Sequence, residues 1–518
     1  MTSSTDIVII GAGPTGLMLA CQLSLYPNIV FRIIDRNAGC TTQSRALVIH
    51  ARSLELLAQL KLVDKALAQG TFVDAMKGYF QGKCAIKVDL TQVRTKQQPL
   101  NTRYPYVLFL EQSTTEQLLE SYLHEHGIQV ERNIEVIDIK DFGDAGAEVT
   151  LSNGEILRPR YICACDGARS IVRHKLNLSF SGRTYSESLF VADCEVDRSP
   201  CSTKEMMLFC ESTGLSGIFP IRDNRFRLIG TIHEGNQDDI HLSINDVQKI
   251  VHTRTRRSDI NISNCSWISV YHSHHRHITT FRYRKHYFLL GDAAHIHSPV
   301  GGQGMNTGLQ DAHNLAWKLA YVLTHSAHDR LLDTYHDERF KVAESLVNTT
   351  DRAFSFISSP YWLTRFFRLY ITPYILRFLV QPILNSSQTL RQYLFRRLSQ
   401  TAITYRSSKI YDYGASAGQF HRTTPLPGDR FPYVIFEPCY YHFVIFANQQ
   451  QSTKVKLFID FVKEKYSKIV RIHEEDLPVQ FEGAILVRPD GYIAYRTTIF
   501  DINHFQAYFS QYFLFESI

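Results

Sequence analysis

Residues 6–35, DIVIIGAGPTGLMLACQLSLYPNIVFRIID, decide the fold. Ile7–Ile10 is a continuous apolar run of strand length, Gly11-Ala-Gly-Pro-Thr-Gly16 follows at once, and Leu17, Leu19, Ala20 and Leu23 open a helical pattern. Each glycine has a reason to be there. Gly11 makes the tight turn, Gly13 lets the backbone approach a pyrophosphate, and Gly16 allows the helix to pack closely on the strand. A second strand over residues 29–34 ends in Asp35, nineteen residues after Gly16. A carboxylate there can accept hydrogen bonds from both hydroxyls of an adenosine ribose. The unit is Rossmann-like α/β and takes a dinucleotide. It does not by itself choose between FAD and NAD(P).

Around this unit the bulk properties are those of an ordinary cellular protein. At 518 residues the chain suggests two to four domains. A 44% apolar and 20% charged composition with net charge +6 gives no argument for nucleic acid. Ten cysteines are scattered, and the one close pair, Cys163-x-Cys165, points to one face of an apolar strand where thiols serve as small hydrophobes. A reduced, cytoplasmic protein is expected, with no secretion signal and no stretch of eighteen apolar residues.

Two more stretches repeat the pattern of strand, acidic or glycine turn, and helix start. Residues 160–164 lead to Asp166-Gly-Ala-Arg-Ser170 and Arg173, and the apolar run 287–290 leads to GDAAHIHSPVGGQGMNTG at 291–308, with a helix expected over 310–324. Glycine-rich turns entering helices hold phosphorylated ligands against backbone N–H groups. Three of them in one chain converge on one elongated ligand. Between the first two, Arg45 sits in a loop at 42–50, where a guanidinium is either an exposed charge or reaches a phosphate or ring. A helix over 114–125 should be capped by Ser113 or Thr114 with Gln117 near the capping-box position.

These residues resemble the group A flavoprotein monooxygenases, the superfamily of para-hydroxybenzoate hydroxylase and phenol hydroxylase. The resemblance is carried by Gly11–Gly16, Asp166–Ser170 with Arg173, and Gly291-Asp-Ala-Ala-His295 with Pro299, Gly301, Gly302, Gly304, Met305 and Asn306, in the family's order. It implies that Gly11, Gly13, Pro14, Thr15, Gly16, Asp35 and Arg36 bind the ADP half of FAD, and that Arg45 and Gln112 also contact the cofactor. Asp166 and Gly167 are associated with FAD and NADPH, and Asp292 with the ribityl and pyrophosphate region. The 299–306 loop would lie against the isoalloxazine, where a helix N-terminus stabilises negative charge on a reduced flavin.

The implied organisation is an FAD-binding domain in two parts (1–175 and 285–350) around a β-sheet substrate domain at 176–284, then a helical basic linker at 351–424 and a thioredoxin-like domain at 425–518. In the inserted part, strands are expected at 189–196, 205–210, 216–220 and 225–232, with Asp223-Asn224 as a hairpin turn. Phe209, Phe219 and Pro220 are candidates for an apolar substrate lining. The run Tyr271-His-Ser-His-His-Arg-His277 has no acid or cysteine beside it in sequence, and we assign no metal site to it.

Residues 352–411 carry nine basic residues and no Asp or Glu, with aromatic residues in the gaps and Pro373 and Pro382 expected to divide short helices. The segment reads either as a connector or as an amphipathic surface for peripheral membrane contact. In the last domain, Gln449-Gln-Gln-Ser452 stands where a redox thioredoxin would carry Cys-x-x-Cys, so disulfide exchange is not expected there. A monomer or homodimer is expected.

By resemblance, NADPH or NADH reduces FAD, O2 adds at the flavin C4a position, and the hydroperoxide gives one oxygen atom to a phenolic or polyketide-like substrate. The alternatives are a Baeyer–Villiger or antibiotic-modifying monooxygenase on the same scaffold and, from a different class, a flavin-dependent reductase or non-oxygenating flavoprotein. His50, Arg222 and Tyr271 are the candidates for the base or polar anchor such chemistry needs.

Overall fold

The computed structural model describes residues 5–91, 102–197, 202–232, 241–299, 301–324, 327–359, 361–412, 414, 425–431, 436–445, 453–473 and 483–514. Ile7–Ile10 is a buried inner strand of a five-stranded sheet, parallel to Phe31–Ile34 at the edge on one side and to Tyr161–Ala164 on the other. Tyr287–Leu289 continues the parallel order and Arg282–Tyr283 closes the edge as an antiparallel strand. Burial on both faces explains why Ile7–Ile10, Tyr161–Ala164 and Tyr287–Leu289 read as unbroken apolar runs rather than alternating ones. Parallel pairing also brings the turns after Ile10, Ile34, Ala164 and Leu289 to one edge of the sheet, where ligands of such folds bind.

The helix Gln112–Glu125 starts earlier than expected, and neither Ser113 nor Thr114 caps it. The cap comes from elsewhere in the chain, since the Gln112 N–H donates to Ser44 Oγ at 2.6 Å. The long helix Gly304–Thr324 likewise begins inside the glycine loop rather than after it.

The second layer is an eight-stranded sheet in the order His295–Ile296, Asn261–His277, Ser181–Asp197, Arg225–Ile232, Gly214–Pro220, Glu205–Glu211, Ala75–Phe80 and Lys83–Asp89. Asp223 and Asn224 both take positive φ, 61° and 58°, as a type I′ hairpin demands. The 271–277 run lies within this sheet, and His275 stands 3.4 Å from Asp351, an acid distant in sequence. Among the described residues no three metal-ligating side chains gather. The expectation that every cysteine is reduced is corrected at one pair. Cys194 and Cys265, 71 residues apart, face each other across adjacent strands and form a disulfide.

The basic segment is helical from Trp362 through Ser386, so its prolines do not divide it as expected. Widened π turns at Phe367–Ile371 and Ile375–Val380 precede each proline turn. A proline has no N–H for the carbonyl four residues back and its ring presses on that carbonyl, and a widened turn relieves both.

In the C-terminal unit the strand order is Val470–His473, Tyr441–Ile445, Ala484–Val487, Ile493–Thr497, the first pair parallel and the rest antiparallel. This is the strand order of a thioredoxin-like sheet, and the 449–452 stretch lies outside the described residues. Among the described residues, no helix is long and apolar enough to cross a membrane.

The C-terminal unit is fastened to the first body by buried charge. Arg488, fully buried, donates to Glu338 Oε1 at 2.6 Å and to Asp490 Oδ1 at 2.8 Å, while Lys318 Nζ reaches Glu338 Oε2 at 2.9 Å. Burial raises the Glu338 carboxyl, but Arg488 and Lys318 outweigh it and hold the pKa well below its ordinary 4.5. A depressed carboxylate adds stability above its unfolded pKa and loses it as pH falls. The melting temperature of the native chain should therefore drop as pH falls below about 5. Arg488→Ala, which leaves Glu338 under-paired, should cost about 3–5 kcal/mol at neutral pH and flatten the acid limb. Calorimetry between pH 7 and 3 measures both.

Candidate active site

The turns at the sheet edge open into a cleft of about 2070 Å³ that runs on beneath the eight-stranded sheet. Single small-molecule sites span roughly 300–1,000 Å³, so this one has room for an elongated ligand and a second molecule beside it. At one end Asp35 accepts from the Ala12 N–H at 2.6 Å and the Asn37 N–H at 2.7 Å. Those bonds fix its carboxylate at the cleft wall. Gly13 and Gly167 stand open, because a Cβ on either would meet no protein atom within 4 Å. Gly16 is the opposite case. A Cβ there would lie 1.9 Å from the Gly11 carbonyl oxygen, which is the close helix-on-strand packing expected of it. Asp166 Oδ1 is buried with no hydrogen-bond partner among the described residues, an acceptor waiting for a donor. Open phosphate-sized turns, a fixed acid and an orphaned acceptor along one groove fit a dinucleotide such as FAD.

At the other end Pro299 and residues 301–305 form the wall. Gly301 and Gly302 take φ of 83° and 61°, and a Cβ on Gly302 would lie 2.5 Å from Val48 Cγ2. The loop is anchored at both ends. Asn306 donates from Nδ2 to the Val48 carbonyl at 2.8 Å and the Gly302 carbonyl at 2.9 Å, and its Oδ1 accepts from the His50 N–H at 2.9 Å. Gly291 donates to Asp311, whose carboxylate also takes His295 at 2.7 Å and Arg339 at 2.6 Å. The helix Gly304–Thr324 starts at the cleft with its N-terminus, a favourable place for negative charge.

Most residues expected at the cofactor meet here. Gly11, Gly13, Pro14, Thr15, Asp35, Arg36, Arg45, Gln112, Asp166, Gly167, Asp292, Pro299, Gly301, Gly302, Gly304 and Met305 all line the cleft. Two do not. Gly16 is packing, and Asn306 is fully buried with its amide spent on the loop. The carboxyl of Asp292 is raised by the surrounding protein, with His295 and Arg45 drawing it back.

The substrate-side candidates separate by strand parity. Phe219 lines the cleft, packed edge-on to Phe109, but Phe209 stacks on Tyr79 in the core and Pro220 is also turned away. The residues facing the cleft are their neighbours Met206, Leu208 and Gly217, because a shift of one along a strand reverses every side chain. Arg222 lies away from the cleft, largely exposed beside Asp223. His50 does reach it. Burial lowers the His50 ring to about 4, so it is neutral, and its Nε2 stands 3.0 Å from the Gly301 carbonyl. Tyr271 lines the cleft with its phenol pushed up to about 12 by burial, against the pull of Arg45 and Arg227.

Three further residues become visible only in three dimensions. Arg227, buried, is held by Asp193 through two bonds of 2.7 Å and donates to the Ala46 carbonyl at 3.1 Å, tying the eight-stranded sheet to the Arg45 loop. His297 lines the cleft beside the start of the long helix, and burial lowers it to about 4. Asp311 ties Gly291 and His295, which precede the loop, to the long helix. The histidine stood inside the quoted glycine stretch, but Arg227 and Asp311 had no local pattern to mark them.

Comparison with known proteins agrees with this geometry. The family described as FAD binding domain matches residues 4–350. Rifampicin monooxygenase of Streptomyces venezuelae is 30% identical over 495 residues, 95% of each chain. A 12-dehydrotetracycline 5-monooxygenase/anhydrotetracycline 6-monooxygenase of Streptomyces rimosus is 31% identical over 67% of this chain and 68% of its own. Among solved structures, an anhydrotetracycline hydroxylase from Streptomyces rimosus superposes with a TM-score of 0.76 at 25% identity over 99% of both chains.

The two glycines of the first turn give opposite expectations. Gly13→Val should leave the melting temperature of flavin-free protein unchanged and weaken FAD binding at least about tenfold, a loss of ~1.4 kcal/mol. Gly16→Val should lower the melting temperature before any ligand is added. Thermal scans and fluorescence titration with FAD separate them.

Proposed function

This chain belongs to the FAD-binding-domain family of flavin-dependent aromatic monooxygenases, and from that premise we propose that it inserts one oxygen atom of O2 into a phenolic or polycyclic, polyketide-like substrate at the expense of NAD(P)H. The observation that carries the substrate class is the second half of the cleft. Apolar side chains of the sheet, Met206, Leu208 and Phe219 among them, line it together with the phenol of Tyr271. That is a wall for a ring system and an anchor for its oxygen.

FAD would be held by Gly11–Thr15, Asp35, Arg36, Arg45, Gln112, Asp166, Gly167, Asp292 and the 299–305 loop, with Asn306 and Gly16 positioning that frame. When bound, it supplies the electron transfer from NAD(P)H and the activation of O2. The protein's part is placement, charge and exclusion of water. The helix N-terminus at Gly304 stabilises negative charge that develops at the loop. Tyr271, protonated across the physiological range, donates its Oη hydrogen to a substrate oxygen. The guanidinium of Arg45 beside it favours the ionised form of a phenol. His50, neutral and engaged with Gly301, acts as a positioning residue and not as the base. The apolar wall keeps water from the reacting groups.

The end-to-end match with a rifampicin monooxygenase supports a second reading of the same site, in which the polyketide is an antibiotic and its oxygenation inactivates it.

Oxygen uptake and NADPH oxidation across a panel of phenols and polycyclic aromatics test the reading. At least one compound should give an oxygenated product, and reduction of the flavin with no product from any of them would sink it. Tyr271→Phe should cut product formation on phenols by about 10²-fold while NADPH oxidation continues uncoupled. No break in the wild-type pH profile below about pH 11 should trace to Tyr271.

A further inference from the structure

Between Phe356 and Leu398 lie sixteen of the twenty-three large apolar side chains exposed among the described residues. A concentration of this kind marks a surface that meets something. The helical run Trp362 through Ser386 turns one stripe to the protein, with Leu369 and Leu384 buried and Leu376 and Val380 half-buried between them. On its open side Trp362, Phe366, Tyr370, Tyr374 and Phe378 recur at every fourth residue, each between 47% and 77% exposed. Neighbouring rings touch, Phe366 with Tyr370 at 5.4 Å and Tyr374 with Phe378 at 6.2 Å between centroids. In a pure α-helix of 3.6 residues per turn a row of fourth residues drifts around the axis. The two π turns counter that drift. Arg365, Arg377, Arg396 and Arg397 stand exposed in the same segment, which holds no acid from 352 to 411.

We propose that this surface docks on an anionic lipid bilayer and receives a lipophilic aromatic substrate from it; the substrate half of the proposal rests on the monooxygenase reading. Aromatic rings suit the headgroup boundary, where one edge is apolar and the other wet, and guanidinium groups pair with lipid phosphates. The helix lies in the interface, and no described helix crosses it. A second copy is a poorer occupant, because a two-fold contact through this face would set its uncompensated arginines against their own images. The cleft connects the two functions. Phe354, Ile357 and Leu398 belong to this segment and also line the cleft, so the docked face and the substrate wall are continuous.

The test is co-sedimentation of the full-length, FAD-loaded protein with vesicles of phosphatidylglycerol and phosphatidylcholine, against phosphatidylcholine alone. Binding should favour the anionic vesicles and weaken as salt rises. R365Q/R377Q/R396Q/R397Q should bind anionic vesicles at least ~100-fold more weakly. W362S/Y374S/F378S should lose binding to both compositions. Both variants should retain FAD and NADPH oxidation in solution, which keeps this result separate from the fate of the monooxygenase reading. No sedimentation of the wild type at low salt overturns the proposal. So does a dimer in light scattering that dissociates in the aromatic variant while the wild type ignores vesicles.

Discussion

One buried carboxylate organises the end of the cleft where the glycine-rich stretch 291–308 enters its helix. Asp311 sits fully buried in the long helix and takes three hydrogen bonds at once, from the Gly291 N–H, from His295 and from Arg339. Burial alone would push its pKa up, yet the guanidinium and the imidazole beside it hold the carboxyl below its ordinary value. An ionised acid in such a place is tolerated only when fully partnered. The partners come from the end of one sheet strand, from the strand His295–Ile296 and from the helix Asp333–Ser358. Losing any one would leave charge uncovered, so all are fixed relative to one another. Arg339 extends the frame to Thr307 and to Tyr405 of the later chain. The loop facing the cleft is thus open on one side and rigid behind.

The same device recurs where the C-terminal unit meets the body. Arg488 with Glu338, Asp490 and Lys318 is one cluster, and Arg430 with Glu55 and Arg52 is a second, all essentially buried. Buried ion pairs are weak sources of net stability but demanding of geometry. They fit one docking arrangement and penalise others, which suits a unit whose turn residues Arg488 and Asp490 meet Glu338 and Asn314 on the helices of the body.

What the chain disclosed in one dimension was local. Gly11, Gly13 and Gly16 could each be assigned a task because a turn, an open approach and a tight packing are decided within a few residues. Their observed surroundings match those tasks. The hairpin at Asp223-Asn224 was readable for the same reason. Strand parity was not, because Phe209 and Leu208 are equally apolar, and only the packing of the helix Ile244–Thr255 on one face of the sheet decides which is core. Contacts between distant segments were silent altogether. Ser44 caps a helix 68 residues away, Cys194 finds Cys265 across a strand pair, and Arg227 braces a loop 181 residues upstream. The backbone partners of Asn306, at Val48, Gly302 and His50, were equally silent, since a side-chain amide serves a backbone and a ligand equally well.

The eight-stranded sheet also bears on how such proteins diversify. Its strands come from three separate stretches, 75–89, 181–277 and 295–296, the last lying inside the glycine loop itself. A recombination that exchanged the central stretch alone would import five strands and leave both flanks with foreign neighbours. The sheet is therefore not a block that can be lifted out: it is built together with the glycine-rich stretch, and side-chain changes along one parity of its strands alter the cleft while leaving every strand its neighbours.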